Sequence, residues 1–290
     1  EAMLYNLFPT SNYGQQSTIG TIKHLKNPSL KAIRQYYYKY YVPNNMAIVM
    51  AGDFNADEVI KTIDKDFGYL KPKPVADYNS PVEKPIAGPI VKEVFGPSAE
   101  TMRILYRLGP SNTKEALMAD MLGSLLSNGK AGLLDLNLNK QQKVLGAAAG
   151  SFNFKDYGVF IALASPKQGQ TLEEVKDLLL GQINMLKKGA FDESLLKAIV
   201  ANDKLNRLQA LDNNNSRAIN IADEFIKNRG TKWNTEVSYI DEINKITKNE
   251  LVDYANNLLG DNNSVVLYKR KVEEKHIVIE EKPPTTPVKK

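Results

Sequence analysis

The sequence SLKAIRQYYYKYYVPNNMAIVM, residues 29–50, predicts a helix, a polar turn and an apolar strand in that order. Ser29 suits the N-cap of the helix, because its hydroxyl can accept a hydrogen bond from a free backbone N–H group. Apolar side chains then recur every three or four residues, as on one face of a helix. Pro43 and the two asparagines after it end the helix, and residues 46–50 form an apolar β run.

The same pattern recurs near the other end of the chain, in TKNELVDYANNLLGDNNSVVLY, residues 247–268. Thr247 stands where Ser29 stood, and it forms a T-x-x-E capping box with Glu250. An Asn-Asn pair and an apolar strand follow again. One interpretation is duplication, which predicts two related α+β domains with helices packed on their sheets. The other is a chance match, since helix-turn-strand units are common.

The chain between the two stretches predicts a linker and a run of mixed elements. Residues 71–89 hold five prolines and little apolar periodicity, which is typical of an interdomain linker. Residues 90–95 and 101–108 alternate like a pair of strands, and 145–154 with 158–165 indicate a hairpin. Helices are predicted over residues 113–126, 133–139, 172–187, 192–211, 216–227 and 247–259.

Composition excludes several classes of protein. Hydrophobic residues make up 42% and charged residues 24%, so the chain is neither disordered nor fibrous. The net charge of +5 is spread along the chain rather than clustered, which argues against nucleic-acid binding. Residues 46–51 are the longest apolar run of note, and a membrane-spanning helix needs about 20 residues. The absence of cysteine excludes disulfides, thiol nucleophiles and cysteine-ligated metals.

No complete active site is predicted from residue chemistry. The two histidines, His24 and His276, are far apart, and neither lies in a HExxH or HxxEH box. Ser151 follows Gly150 in a predicted strand without a G-x-S-x-G elbow, so a structural role is expected. Residues 129–132 lack the spacing of a phosphate-binding loop, and we expect them to separate two helices.

Two acidic pairs, 173–174 and 241–242, are predicted at helix starts, where a helix dipole favours carboxylates. On the tyrosine-rich helix, the spacing predicts a buried face carrying Tyr37, Tyr40 and Tyr41 and an exposed face carrying Tyr36 and Tyr38.

Both ends of the sequence predict that the chain is part of a longer protein. Residues 2–8 have the pattern of the end of an amphipathic helix, without an initiator methionine or a signal peptide before them. Residues 275–290 have three prolines among their last eight, which is typical of a linker.

Residues 13–70 resemble the insulinase/pitrilysin (M16) family of zinc metallopeptidases. The matching segments are Tyr13-Gly-x5-Gly20, Tyr40-Tyr-Val-Pro-Asn-Asn-Met46, Ile48-Val-Met-Ala-Gly-Asp53 and Phe67-Gly68. The resemblance implies the fold of the mitochondrial processing peptidases: α+β, with duplicated domains of mainly antiparallel sheet covered by helices. It assigns residues 1–70 to the carboxyl-terminal part of a truncated metal-site domain and 71–89 to a linker. Residues 90–270 become a second, structural domain that lines a substrate chamber, and 271–290 a linker to a missing C-terminal half.

The resemblance also implies a mechanism whose residues this chain does not carry. In the family, an inverted HxxEH helix and a later Glu bind zinc, and the Glu of the box is the general base. Those positions would precede Glu1, which is itself not nominated as a ligand. Some members bind the substrate carbonyl with an Arg and a Tyr of a second domain. The alignment over residues 134–152 places Asn139 and Gly146 there, and neither can replace those donors. No catalytic or metal-binding residue is therefore assigned to this chain, and its substrate-binding residues stay unknown.

The resemblance predicts part of a zinc-dependent metalloendopeptidase that hydrolyses peptides in a closed chamber. Zinc is expected in the parent protein and not in this chain, which alone should be inactive. The expected partners are a peptide substrate, added as a β-strand to a sheet edge, and a second half of the same polypeptide. The alternatives are a non-catalytic scaffold or binding subunit of the same fold and a polymer-binding α+β module unrelated to peptidases. The compartment is open, with an extracytoplasmic (periplasmic or envelope) location favoured.

Overall fold

One five-stranded sheet forms the centre of the protein in the computed structural model, which describes residues 2–228 and 234–272. Its strands are β1 (Ile90–Gly96), β2 (Thr101–Leu108), β3 (Gly146–Asn153), β4 (Gly158–Ser165) and β5 (Ser264–Lys271). They lie side by side in the order β1-β5-β2-β4-β3. Only the contact between β1 and β5 is parallel within the described chain. The expected mainly antiparallel α+β fold is therefore confirmed.

The helices come before, between and after these strands. They are α1 (Ala2–Leu7), α2 (Asn12–Gln15), α3 (Ile22–Lys26), α4 (Leu30–Tyr40), α5 (Ala56–Phe67), α6 (Lys114–Leu126), α7 (Leu172–Lys187), α8 (Ser194–Leu211), α9 (Asn214–Asn228), α10 (Asn234–Asn244) and α11 (Lys248–Leu258). Short 3₁₀ turns lie at Pro43–Asn45 and Asp261–Asn263, and a π-helical turn lies at Asp135–Asn139. Three of these helices, the short α2 and α3 and the longer α10, were not predicted from the sequence.

Both faces of the sheet are covered, because side chains alternate between them along each strand. Ile104 of β2 and Phe160 of β4 face the larger core, against α6 and α7, and α11 packs on those two helices. Leu105 faces the other way, where Leu7 and Phe8 from the start of the chain pack on it. Burial of each such apolar side chain stabilises the fold by roughly 1.5–3 kcal/mol. Packing on this second face therefore holds the first residues of the chain against β2 and β5.

The strand order corrects one sequence prediction. Residues 90–95 and 101–108 do form strands, but β1 and β2 are not neighbours. β5 lies between them, with Lys92 opposite Leu267 on one side and Arg103 opposite Leu267 on the other. Alternation of apolar and polar residues indicates that a strand has two different faces. It does not indicate which other strand pairs with it.

The repeated unit has the same local geometry in both copies up to its turn. Ser29 and Thr247 are the N-cap residues of α4 and α11, and their side chains accept from the backbone N–H groups three residues on. Each helix is followed by a 3₁₀ turn. In each turn the second asparagine, Asn45 or Asn263, donates from Nδ2 to the carbonyl five residues earlier, at 3.0 and 2.9 Å.

The two copies differ after the turn. Residues 264–271 form β5, whereas 46–50, predicted as a strand, form no strand in the described chain. The predicted buried face of α4 is likewise wrong, since Tyr37 and Tyr41 are 53% and 54% exposed. Both differences have one cause: the described chain holds no second sheet with which residues 46–50 could pair and against which α4 could pack.

The second half of the predicted linker is hydrogen-bonded to the turn between β3 and β4. Residues 71–89 contain no helix or strand, as the prolines predict. Tyr157 donates from its hydroxyl to the Pro81 carbonyl at 2.8 Å and accepts from the Glu83 N–H group at 3.0 Å. The Glu83 carboxylate accepts from the backbone N–H groups of Thr10 and Ser11, at 3.0 and 2.7 Å through Oε1. This network ties the start of the chain and the linker to the β3–β4 turn.

Candidate functional site

The segment that resembles the family's carbonyl-binding region lies at the open edge of the sheet. Asp135–Asn139 make a π-helical turn, a rare element that is frequent at functional sites. Asn139 projects its amide onto the edge strand β3, where Oδ1 accepts from the Ala147 N–H group at 2.7 Å and Nδ2 donates to its carbonyl at 2.8 Å. One side chain thus makes the two hydrogen bonds that a neighbouring strand would make there.

Gly146, the second aligned position, begins β3 opposite Ser165. It has no side chain to offer a substrate, and Asn139 uses both ends of its amide on the strand. Neither position therefore presents a free donor to a bound peptide.

Asp135 holds the loop that leads into the π-helical turn. Its carboxylate is 5% exposed and accepts from the N–H groups of Asn128 at 2.8 Å and Gly132 at 3.2 Å. The loop carries Gly129 at φ +77°, a backbone conformation that favours glycine. Residues 129–132 thus separate two helices, as predicted, and they form no phosphate-binding loop.

A cavity lined by polar and apolar side chains lies beside β3 on the helical side of the sheet. Asp120 of α6 lines it and accepts on Oδ1 from the Ser151 hydroxyl and, at 3.1 Å, from Asn153 Nδ2. Burial raises the pKa of the Asp120 carboxyl, and the two hydrogen bonds oppose that rise. Ser151 donates to the Asp120 carboxylate, and none of the described residues places a histidine beside it as a general base. Its structural role stays a prediction.

Three further ionisable groups, Asp203, Arg207 and Tyr239, lie at or near this cavity. The Tyr239 hydroxyl donates to Asp203 Oδ2 at 3.4 Å, and the Arg207 guanidinium lies over the Tyr239 ring, 3.7 Å from its centroid. Burial is the main cause that raises the pKa of both Tyr239 and Asp203. None of these three residues is a site candidate in the sequence. The available signal was Asp120, a lone carboxylate between the apolar residues 117–119 and 121–122.

The described residues do not fit a zinc site, because they bring no three His, Asp or Glu side chains together as a ligand group. His24 lies on α3 and is exposed, as expected of a surface residue. His276 and Glu1 lie outside the described residues.

Of the two acidic pairs predicted at helix starts, one lies there and the other does not. Glu174 belongs to a capping box with Thr171 at the start of α7, as predicted. Residues 241–242 lie near the end of α10 instead of at a helix start, and Glu242 pairs there with Lys245 at 2.7 Å.

Comparison with known families identifies the family of this chain. The family model described as the peptidase M16 inactive domain matches residues 28–202, more than half of the chain. The chain belongs to the M16 family. The resemblance found in the sequence is thereby confirmed, and the match is to the family's inactive domain.

Named relatives of this M16 chain are zinc proteases. It is 25% identical over 223 residues to the zinc protease PqqE of Helicobacter pylori, covering 72% of this chain and 48% of that protein. The fold matches a crystal structure of a protease from Helicobacter pylori, with a TM-score of 0.81 and 23% identity over 92% of this chain and 66% of that one. It also matches the periplasmic protease PqqL of Escherichia coli, with a TM-score of 0.75 and 15% identity over 93% and 31% of the two chains. The M16 chain thus spans about half the length of the curated relative.

Replacing Asn139 by aspartate is expected to destabilise the M16 chain by about 1–3 kcal/mol. The change removes the donor to the Ala147 carbonyl and places a second carboxylate beside Asp135, whose Oδ1 lies 3.4 Å from the present amide nitrogen. Urea unfolding followed by circular dichroism measures the difference. Asn249→Asp, at an exposed position in the first turn of α11, is the matched control and should be neutral or slightly stabilising. Equal midpoints for the two variants would show that the amide does not hold the edge strand.

Proposed function

We propose that this chain is the non-catalytic part of a zinc-dependent metalloendopeptidase that hydrolyses peptides in a closed chamber. The observation that carries the proposal is the match of residues 28–202 to the M16 inactive domain. The name of the Helicobacter pylori relative, a zinc protease, supports the chemistry of the parent protein. Zinc and the general base would lie in a part of the parent protein outside this chain, whose described residues do not fit a metal.

We further infer the domain organisation from the repeated unit. Residues 1–70 would be the carboxyl-terminal part of the metal-site domain, 71–89 the linker and 90–270 the second domain, with 271–290 leading to another half. The matched caps of α4 and α11 and the matched side-chain hydrogen bonds of Asn45 and Asn263 support this division. On this proposal, residues 46–50 become a strand when the rest of the first domain is present.

The proposed partners are a peptide substrate and a second half of the same polypeptide. The described chain contains no helix long and apolar enough to cross a membrane. We place the parent protein outside the cytoplasm, in the periplasm or envelope, and the periplasmic protease PqqL of Escherichia coli supports that placement.

The alternative is a non-catalytic scaffold of the same fold, which the absence of substrate donors at Asn139 and Gly146 also fits. Zinc content and peptidase activity, measured on the full-length protein beside this chain, separate the two. The expected result is near-stoichiometric zinc and chelator-sensitive cleavage of unfolded peptides in the full-length protein, and neither in this chain. Absence of both from the full-length protein would favour the scaffold. Zinc-dependent cleavage by this chain alone would overturn both assignments.

A further inference from the structure

The cavity beside β3 is large enough for a ligand and is built from several elements. Its volume is about 450 Å³, within the range of small-molecule sites. Residues from the start of α6 and from α8, α9 and α10 line it, together with Asn153 at the end of β3. Ala116 and Leu117 supply an apolar wall between the polar groups.

The cations around the cavity are already engaged with carboxylates. Lys227 contacts Glu224 at 2.9 Å, Lys245 contacts Glu242 at 2.7 Å, and Lys114 contacts Glu250. Arg207 stacks on the Tyr239 ring and lies near Asp203, whose pKa its charge lowers. Each of these positive charges is thus largely balanced by its own neighbour.

Asp120 differs from the other carboxylates of the cavity. Within the described chain, no Lys or Arg nitrogen lies within 4.0 Å of it, and only the neutral groups of Ser151 and Asn153 donate to it. Both donate to Oδ1, and Oδ2 receives no hydrogen bond from a described residue. The charge of Lys227 lowers the pKa of Asp120, but the Lys227 ammonium is itself paired with Glu224. A carboxylate that is largely removed from water and has no ion pair of its own is costly, and a cation in the cavity would offset that cost.

We propose that this cavity binds an organic cation, an alkylammonium or guanidinium group, with Asp120 as its counter-ion. The ammonium or guanidinium donates to Oδ2 of Asp120, since Oδ1 is occupied. The alkyl stem packs against Ala116 and Leu117. The chemistry is that of a lysine or arginine side chain on a peptide, or of a free polyamine. The site is independent of zinc and of peptide-bond cleavage, so it stands or falls apart from the function proposed above.

The test is isothermal titration calorimetry on this chain at neutral pH. The probes are Nα-acetyl-lysine amide, Nα-acetyl-arginine amide and putrescine, with neutral Nα-acetyl-norleucine amide as the matched uncharged probe. We expect the cationic probes to bind and the norleucine derivative to bind at least about tenfold more weakly, since hydrogen bonds to a charged group are the strong ones. Binding of a capped amino acid assigns the site to a peptide side chain, and binding of putrescine alone assigns it to a polyamine.

The matched variants are Asp120→Asn, which keeps an acceptor for Ser151, and Glu115→Gln on the exposed side of the same helix. Asp120→Asn is expected to weaken binding of the cationic probes at least about tenfold, and Glu115→Gln to leave it unchanged. Equal binding of norleucine and lysine derivatives, or unchanged binding by Asp120→Asn, would overturn the proposal, as would the absence of binding by any cationic probe.

The Asp120→Asn variant is expected to fold, which keeps the test decisive. A carboxyl whose pKa is raised in the folded protein stabilises the fold only while it is protonated, so its contribution is lost as pH rises through the folded-state pKa. At neutral pH, replacing the charge by a neutral amide should therefore raise the melting temperature or leave it unchanged. A thermal melt of the free protein checks this before any titration.

Discussion

Replacing Gly123 by alanine is expected to destabilise the protein by about 1–3 kcal/mol, the usual cost of inserting a methyl group into a well-packed contact. Gly123 lies on α6 where the helix crosses β3, and a Cβ atom there would lie 2.9 Å from the Cα atom of Gly150. The obstacle is backbone, so no side chain can rotate out of the way. The helix would have to move off the sheet, and its buried residues, such as Leu122, would lose contacts with it.

Gly181 provides the matched control for this prediction. It lies in the middle of α7, and a Cβ atom there would meet nothing within 4 Å. Gly181→Ala should therefore stabilise the protein by about 0.5–1 kcal/mol, because alanine loses less conformational freedom than glycine in a helix. Urea unfolding of both variants measures the pair. Changes of the same sign would contradict the close approach of α6 and β3.

Replacing Glu83 by alanine is expected to cost about 2–4 kcal/mol and to loosen the start of the chain. The carboxylate is 6% exposed and accepts from the N–H groups of Thr10 and Ser11. It also balances Arg107, which donates from Nε to the Leu7 carbonyl and from Nη1 to the Lys84 carbonyl, each at 2.7 Å. Burial lowers the pKa of Arg107, and the charge of Glu83 is the main effect that opposes this. Without the carboxylate, two N–H groups lose their acceptor and a half-buried cation loses a nearby negative charge.

Hydrogen exchange at the Thr10 and Ser11 amides, together with urea unfolding, checks this prediction. Glu83→Gln should cost less than Glu83→Ala, because the amide oxygen still accepts while the charge is lost. Asp177→Ala is the control: its carboxylate is 76% exposed and its nearest cation is 3.9 Å away, so a change within about 0.5 kcal/mol is expected. Unaltered protection of both amides in Glu83→Ala would show that the network does not hold the start of the chain.

Local elements could be predicted from the sequence because their causes are local. Thr247 does form its predicted capping box, and β3 and β4 do form the predicted hairpin. The neighbour of β1 could not be predicted, because its hydrogen bonds go to a strand more than 150 residues away. The prediction of a buried face on α4 was wrong for a related reason. Periodicity indicates that one face of a helix is apolar, but burial of that face needs a packing partner that the described chain does not hold.

The candidate site was less predictable than the fold. The family resemblance identified Asn139 as a position without a substrate donor. Its partner, the backbone of Ala147, could not be predicted, because the π-helical turn places the two residues together. Asp120 went unnoticed because a single carboxylate in an apolar helix carries no motif. The role of Asp120 depends on Ser151 and Asn153 of β3, which approach it only in the folded protein.

The position of β5 has a consequence for how the protein is made. β1 pairs in the described chain with β5 alone, and β5 also completes the hydrogen bonding of β2. A ribosome must therefore translate past residue 271 before the middle of the sheet can close. Until then β1 and β2 expose free edges, the feature that invites aggregation in nascent chains. The high sequence separation of these contacts also predicts slow folding. Efficient production in a cell would thus depend on protection of those edges while the last helices and β5 are being synthesised.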